Sequence, residues 1–423
     1  MTYKITGGDT MIDLALLREN PDTIKNLILR KEPTFDIDRL IILDKEVRHL
    51  RTNVEELRKE KNNLAEQGKK GITPELREKS IEVGQKIKQH EKELLDIETE
   101  LKSRWLACPN IPQEDIPQGY KEANKVVKTV GEKPHFSFEP RHHLELNEKN
   151  QWFDFEAGAH IAGTQFAVYQ EMGTKVIYAL AHLMLKNNKK HGFSPMLPPS
   201  LIAEKGLYNA GNLPKFAGDF YSFDADGLCL IPTSEVSLTN LHADHIFSAN
   251  ELPKRYTSWT SCFRREAGGY GATERGLIRI HQFEKVELFS ITQPEESNKE
   301  LDAMVACAEN ILQQLGLHYH ISLLATQDCS FQSSKTFDIE VWLPGQKAYY
   351  EVSSASNCTD FQARRAGIRY RKTTEAKPSL VHTLNASSLA MPRLMVALME
   401  TYQQPDGSIK LPDILQNIMD ALW

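Results

Sequence analysis

Apolar residues recur at alternating steps of three and four through Leu40, Leu43, Val47, Leu50, Val54, Leu57 and Leu64, broken only at Lys61, with charges between them. That period is a heptad seam and predicts one long helix. After Gly68, Gly71 and Pro74 the period resumes in Leu76, Val83, Ile87, Leu94, Ile97 and Leu101, with Ser80 and His90 at polar seam positions. Two such helices joined by a short glycine-containing turn must run antiparallel and zip their seams together. At ~1.5 Å per residue each reaches about 40 to 45 Å, so the pair is expected to project as an arm. Its outer faces carry Arg48, Arg51, Arg58, Lys59, Lys61, Lys69 and Lys70 among interspersed acids. Periodicity alone leaves open whether the arm binds a partner or only dimerises. Upstream, a helical pattern from Asp13 to Arg30 is interrupted at Asn20-Pro21, a second helix start, and Pro33 ends it.

The seam stops at Trp105, and Pro109, Pro112 and Pro117 mark a domain boundary in the stretch up to Gln118. Beyond it helices mix with short strands without strict βαβ alternation. Glu171 to Lys190 reads as one buried helix. The following HGFSPMLPPS reads as an extended edge segment, because prolines exclude helix and avoid central strands. The segment from Cys262 to Phe289 reads as two strands joined by a long loop. Alternation places Arg264 and Glu266 on one face of the first strand, and Phe283, Lys285 and Glu287 on one face of the second. Pro392 starts a helix running to about Tyr402.

The chain has 423 residues, enough for two domains, with 26% charged and 40% hydrophobic residues, as in an ordinary globular protein. A net charge of -6 excludes a generally basic nucleic-acid coat and confines any such contact to a local surface. The six cysteines, Cys108, Cys229, Cys262, Cys307, Cys329 and Cys358, form no CxxC pair, so no zinc is expected. No stretch approaches the ~18 apolar residues of a membrane span, and MTYKITGGDT lacks the features of a signal peptide. A cytoplasmic protein without a membrane partner is expected.

Candidate chemistry concentrates in the 262–289 segment. Gly268, Gly269, Gly271 and Gly276 break its loop, and Arg275 and Arg279 add positive charge. An arginine fork meets phosphate oxygens bidentately, Phe283 can stack on a base, and Glu287 can grip an ammonium or hydroxyl. A solvated charged hairpin is the alternative that spacing alone allows. No GxxxxGK[ST] loop is present, so a P-loop is excluded. Thr233-Ser234-Glu235 forms a polar cluster where an apolar run stops, or equally a helix cap. In YYEVSSASN, Glu351 and Ser354 offer a carboxylate and a hydroxyl to one hard cation.

FR-E, a glycine-rich loop and RGLIR-HQF-KVE together resemble motif 2 of the class II aminoacyl-tRNA synthetases, in the form used by seryl-tRNA synthetases. The 171–200 region resembles motif 1, TLNASSLAMPRLMVALME resembles motif 3, and MIDLALLREN, PNIPQEDIP and GNLPKF also match the bacterial-type seryl family. The resemblance covers nearly the whole chain from Met11. It implies an α+β fold, an antiparallel sheet flanked by helices, preceded by the helical hairpin. It divides the chain into an extension (1–10), a tRNA-binding helical domain (11–110, arm about 37–104) and a catalytic domain (111–423).

The implied activity is ATP-dependent attachment of L-serine to serine tRNA through seryl-adenylate, in a homodimer whose hairpin contacts the long variable arm of the tRNA. By the same resemblance Thr233, Ser234, Glu235, Glu287 and Ser387 would bind serine, with Ser387 in an Asn-Ala-Ser turn. Arg264, Arg265, Glu266, Ile280, Phe283, Glu351, Val352, Ser353, Ser354 and Arg393 would bind ATP. Mg²⁺ would sit on Glu351 and Ser354, and Arg264, Glu351 and Arg393 would be catalytic. Arg265 stands where the family usually has Ser, Ala386 where it usually has Gly, and YGATERG replaces a GRDTRG-like loop. Threonyl- and prolyl-tRNA synthetases share some of these features but carry an anticodon-binding domain after motif 3, and about thirty residues after Arg393 leave no room for one. A tRNA-independent carrier-protein ligase would lack the long arm. A degenerate dimer that only binds through its coiled coil is the non-enzymatic alternative.

Overall fold

The computed structural model describes residues 13–69, 71–266 and 276–423. The N-terminal extension, Lys70, and the loop glycines Gly268, Gly269 and Gly271 with Arg275 lie outside the described residues. Two compact units divide the chain, Thr10–Pro109 and one containing Asn110–Trp423.

Among the described residues the first unit holds four helices, α1 (Leu14–Glu19), α2 (Pro21–Lys31), α3 (Ile37–Gly68) and α4 (Pro74–Leu106). Each start has a local cause. Asp13 and Asp36 accept N–H bonds from Ala15 at 2.8 Å and Arg39 at 3.1 Å, Pro21 opens α2, and Thr73 accepts from Leu76 at 3.2 Å ahead of Pro74. The heptad seam is buried as its spacing requires. Leu40, Leu43, Val47, Leu50, Val54 and Leu64 of α3, with Val83, Ile87 and Leu101 of α4, are closed from solvent. Lys61, the break in the seam, lies against Gly84. Two of the outer-face arginines reach across the hairpin, Arg51 to Glu98 and Arg58 to Glu91, each at 2.7 Å. Arg39 and Arg104 together hold Glu100 at a pKa of about 2 through hydrogen bonds to its carboxylate. Exposed pairs of this kind contribute little to stability, so their effect is chiefly on register.

The second unit is built on an eight-stranded sheet: β1 (Lys125–Val130), β2 (Ser194–Met196), β3 (Lys254–Phe263), β4 (Gln282–Thr292), β5 (Tyr319–Leu323), β6 (Lys335–Leu343), β7 (Ala348–Asn357) and β8 (His382–Ala390). Its spatial order is β1-β5-β6-β7-β8-β4-β3-β2, antiparallel throughout except where β2 runs parallel to β3. Pro195 sits in β2, the edge strand, where its missing N–H costs no central ladder bond. Helices α5 (Glu171–Lys190), α6 (Ser297–Gln314) and α7 (Met391–Thr401) bury Leu180, Met184, Met304, Ile311 and Met395 in one cluster with Val286, Leu288, Ile339 and Val341 of the sheet. Alternation turns Lys285 and Glu287 to the other face. Gly173 lets α5 begin where it does, since a Cβ there would lie 2.0 Å from the carbonyl oxygen of Trp152.

Two local expectations are corrected. The strand carrying motif 2 ends at Phe263, so Arg264 and Glu266 are not on it. Arg264 N–H still bonds His281 O at 2.8 Å, but Arg265 N–H turns to Asp219 O at 3.0 Å and Glu266 takes φ 50°, which ends the ladder. The Asn385-Ala386-Ser387 segment is no turn. It lies inside β8, with Ser387 opposite Glu287 and Ala386 opposite both Leu288 and Ala355, because neighbours on both sides supply its hydrogen bonds.

Candidate active site

Where β4 and β8 meet the start of α7, a cavity of about 490 Å³ opens. It brings together Thr233, Glu235, Arg264, Glu266, Ile280, Phe283, Glu351, Ser387 and Arg393 from segments far apart in the chain, with Lys285 and Arg279. Ser234, Arg265, Glu287, Val352, Ser353 and Ser354 do not line it.

One end of the cavity is a buried polar cluster. Thr233 caps the short helix Ser234–Asn240, its Oγ1 accepting from Glu235 N–H at 3.2 Å, so the cap and the site are the same residue. The Thr233 hydroxyl donates to Glu287 Oε2 at 3.0 Å and lies 2.8 Å from Lys285 Nζ, and Lys285 and Glu287 form an ion pair. Glu287 is therefore behind Thr233 and Lys285 rather than at the cavity surface. Burial pushes its carboxyl pKa up, and the Lys285 charge opposes that rise. Glu235 is pushed up to about 7, first by burial and then by Glu287, although its Oε1 accepts from Gln362 at 2.7 Å and Asn385 at 3.0 Å. Two carboxyls that burial pushes up beside one buried lysine suit a small ligand that brings its own positive charge, which would favour their ionised forms. Ser234 is fully buried, and its hydroxyl has no partner among the described residues.

The other end is open and positive. The Arg264 guanidinium carbon lies 5.1 Å from the Phe283 ring centre, and Glu266 pairs with Arg279. Arg393, in the first turn of α7, donates to Glu351 O at 2.8 Å and lies 3.2 Å from its carboxylate. Gly276 forms the foot of the loop at φ 70°, where a Cβ would strike His143 Nε2 at 2.2 Å. Arg265 is exposed and does not line the cavity, Val352 packs in the core, and the Ser353 hydroxyl donates to Ser387 O.

Glu351 and Ser354 are three apart, which in a regular strand places them on opposite faces. A bulge corrects this. Ile339 pairs with Ser353 but Glu340 with Glu351, so Val352 is the extra residue, and Asp338, Glu340, Glu351 and Ser354 share one face. Burial, reinforced by Glu351, holds the Asp338 carboxyl well above its ordinary range. Another close group among the described residues, His142, His143 and Glu400, has little to offer a metal. The Glu400 carboxylate already accepts from the N–H groups of Gly345 at 2.9 Å and His143 at 3.1 Å and from Gln346 at 3.2 Å.

Sequence reasoning left Lys285 without a role and missed Gln362, Asn385 and Asp338. Lys285 was visible by alternation from Glu287, and Asp338 by its two-residue spacing from Glu340. Nothing in the sequence connects Gln362 to Glu235.

A model of the seryl-tRNA synthetase N-terminal domain matches residues 11–112, and one of the class II tRNA synthetase core domain (G, H, P, S and T) matches residues 221–402. The chain is 44% identical to a serine–tRNA ligase of Syntrophobacter fumaroxidans, covering 96% of this chain and 98% of the relative. It is 42% identical to one of Chlamydia abortus, covering 97% and 98%. Among solved structures, seryl-tRNA synthetase from Pyrococcus horikoshii complexed with ATP superposes with a TM-score of 0.90 at 31% identity, covering 97% of this chain and 98% of the other.

Proposed function

The chain belongs to the seryl-tRNA synthetase family, and we infer that it attaches L-serine to serine tRNA through a seryl-adenylate made from ATP. The observation that carries the assignment of parts is that one cavity joins a buried anionic cluster to an open arginine-rich end. A small zwitterion fits the first, with its ammonium toward Glu235 and Thr233 and Glu287 holding Lys285 and Thr233 in place behind it. Ser387 faces the substrate side chain. A nucleoside triphosphate fits the second, its base on Phe283 and its phosphates on Arg264 and Arg393, with Glu266 holding Arg279 beside them. Ile280 closes the apolar wall. Val352 and Ser353, whose side chains are buried, contribute through backbone groups.

Serine's carboxylate, with a pKa of ~3.5, is already ionised at neutral pH, so its attack on the α-phosphorus needs no general base. It needs alignment with the departing pyrophosphate and fixed positive charge, which Arg264 and Arg393 supply. The terminal ribose hydroxyl of the tRNA then attacks the acyl carbon and AMP leaves. Glu351 and Ser354 are hard oxygen donors on one face, the donor set that suits Mg²⁺, which when bound would neutralise phosphate charge.

The helical hairpin is assigned to the long variable arm of serine tRNA. A homodimer is supported by β2, an edge strand, and by Leu197 beside it at 88% exposed, with Tyr178 and Met172 exposed on α5. Among the described residues no helix is long and apolar enough to cross a membrane, and we place the protein in the cytoplasm. Serine-dependent ATP–pyrophosphate exchange, followed by charging of serine tRNA, tests the proposal. Exchange that answers to threonine or proline and not to serine would overturn it.

A further inference from the structure

We propose that Asn212 and Gln332 form a subsite that holds the terminal ribose of the incoming tRNA by its hydroxyls while serine is transferred. This deepens the proposed function and rests on the reading of the cavity as the place of that transfer. Of the residues that line the cavity, these two keep a side-chain oxygen closed from solvent with no partner among the described residues. Each residue is only 9% exposed. Their backbones, by contrast, are engaged. Asn212 follows the short helix Glu204–Ala210, its N–H bonding Leu207 O at 2.9 Å and its carbonyl accepting from Phe216 N–H at 3.0 Å. Gln332 lies between β5 and β6, its carbonyl accepting from the Asn110 side chain at 2.8 Å. Gly211 lets the two segments meet, since a Cβ there would lie 3.2 Å from Gln332 Cβ.

A buried polar group left unpaired is costly, and on a cavity wall it marks where a ligand group belongs. An amide is uncharged and offers an acceptor beside two donors, so it matches a hydroxyl, which both donates and accepts, better than an ammonium, a carboxylate or a phosphate. The other reacting groups have their partners in the proposed assignment: Glu235 and Thr233 for the ammonium, Ser387 for the serine side chain, Phe283 for the adenine, Arg264 and Arg393 for the phosphates. The terminal ribose has none, and it brings two neighbouring hydroxyls to two amides. Its place in the cavity agrees. Gln362 donates to both Ala210 O at 3.0 Å and Glu235 Oε1 at 2.7 Å, which ties the Asn212 segment to the serine end. Asp219 O accepts from Arg265 N–H at 3.0 Å, which ties the same segment to the arginine end. This wall therefore flanks the junction of the two ends, where the acyl carbon of the adenylate must lie. Phe216, half-buried on the same wall, offers a ring to the terminal base.

The test uses full-length Asn212→Leu and Gln332→Met, which keep side-chain volume and remove the hydrogen bonds, and follows the two half-reactions separately. Serine-dependent ATP–pyrophosphate exchange should stay within twofold of wild type, with the KM values of serine and ATP unchanged. Single-turnover transfer from preformed seryl-adenylate to serine tRNA should slow roughly 10-fold in each, the loss of one hydrogen bond of ordinary strength. Asn212→Ala and Gln332→Ala are measured beside them and should show the same split, so that a misfit of the larger side chain cannot mimic it. Serine tRNAs ending in 2′-deoxyadenosine and in 3′-deoxyadenosine read the contact itself. On whichever of these still accepts serine the wild type should slow, and at least one amide variant should lose less than twofold further. Transfer within twofold of wild type in all four variants overturns the proposal and leaves the proposed function standing, since exchange persists. A raised KM for serine or ATP would place the amides in the first half-reaction and overturns it, as does a full further loss by both variants on the deoxy tRNA. Both half-reactions slowed alike with a lowered melting temperature would mark a merely structural pair and overturns it too. Absence of serine-dependent exchange in the wild type would instead remove the proposed function on which the subsite rests.

Discussion

Glu235→Gln should make the protein more stable and a worse enzyme, and the two effects should depend on pH in a calculable way. Glu235 is 5% exposed and its carboxyl is pushed from the ordinary 4.5 up to about 7, chiefly by burial. Between those values the folded chain holds a proton that the unfolded chain has released. Stability from this group therefore falls as pH rises through that window, and stays lowered above it. At ~1.4 kcal/mol per pH decade the loss is about 3 kcal/mol by pH 8. Glutamine keeps an oxygen to accept from Gln362 and Asn385 and never ionises. The stability difference between variant and wild type should accordingly grow by about 2.5 kcal/mol from pH 5 to pH 8. Urea unfolding followed by tryptophan fluorescence reads this, since Trp152, Trp259, Trp342 and Trp423 all lie in the second unit. At pH 8 the serine KM in pyrophosphate exchange should rise by one to two orders of magnitude, from the ~1.5–3 kcal/mol of a hydrogen bond to a charged group, with the ATP KM little changed. Parallel stability profiles for the two proteins would refute the burial argument. An unchanged serine KM would refute the placement of the ammonium.

Arg264→Ala should abolish exchange yet leave the melting temperature within about a degree, because its side chain is exposed and lies over the Phe283 ring at the cavity rather than in the core; near-normal exchange at ordinary ATP concentration would remove it from the phosphate site. Gly173→Ala should destabilise the second unit by ~1–3 kcal/mol or more, since the new methyl meets backbone rather than a movable side chain; an unchanged unfolding midpoint would contradict the packing. Excising residues 37–103 and rejoining the ends should spare serine-dependent exchange while charging of serine tRNA falls by orders of magnitude; normal charging would make the arm a structural coiled coil.

Local chemistry repeats along a chain, so the sequence by itself determined whatever is periodic or capped. The heptad seam from Leu40 to Leu101 needs only its own spacing to define two antiparallel helices, and Asp36, Thr73 and Pro74 mark their starts. The helix 171–190, with its edge strand after it, follows from apolar period and proline for the same reason. Most cavity residues were legible because they fall in short contiguous stretches whose wording resembles a known family. What the tertiary structure alone decided are relations between segments and irregularities within them. Period-2 counting carried the motif 2 strand through Glu266, but Asp219, 46 residues upstream of Arg265, captures the Arg265 amide and ends it. The same counting separates Glu351 from Ser354, and a bulge at Val352, forced by the pairing with β6, reunites them beside Asp338. Nor does sequence distance hint that Gln362 and Asn385 converge on Glu235. Burial is the physical reason these relations matter: only once the chain has closed around Glu235, Glu287 and Lys285 do ordinary side chains become a site with an unusual charge balance.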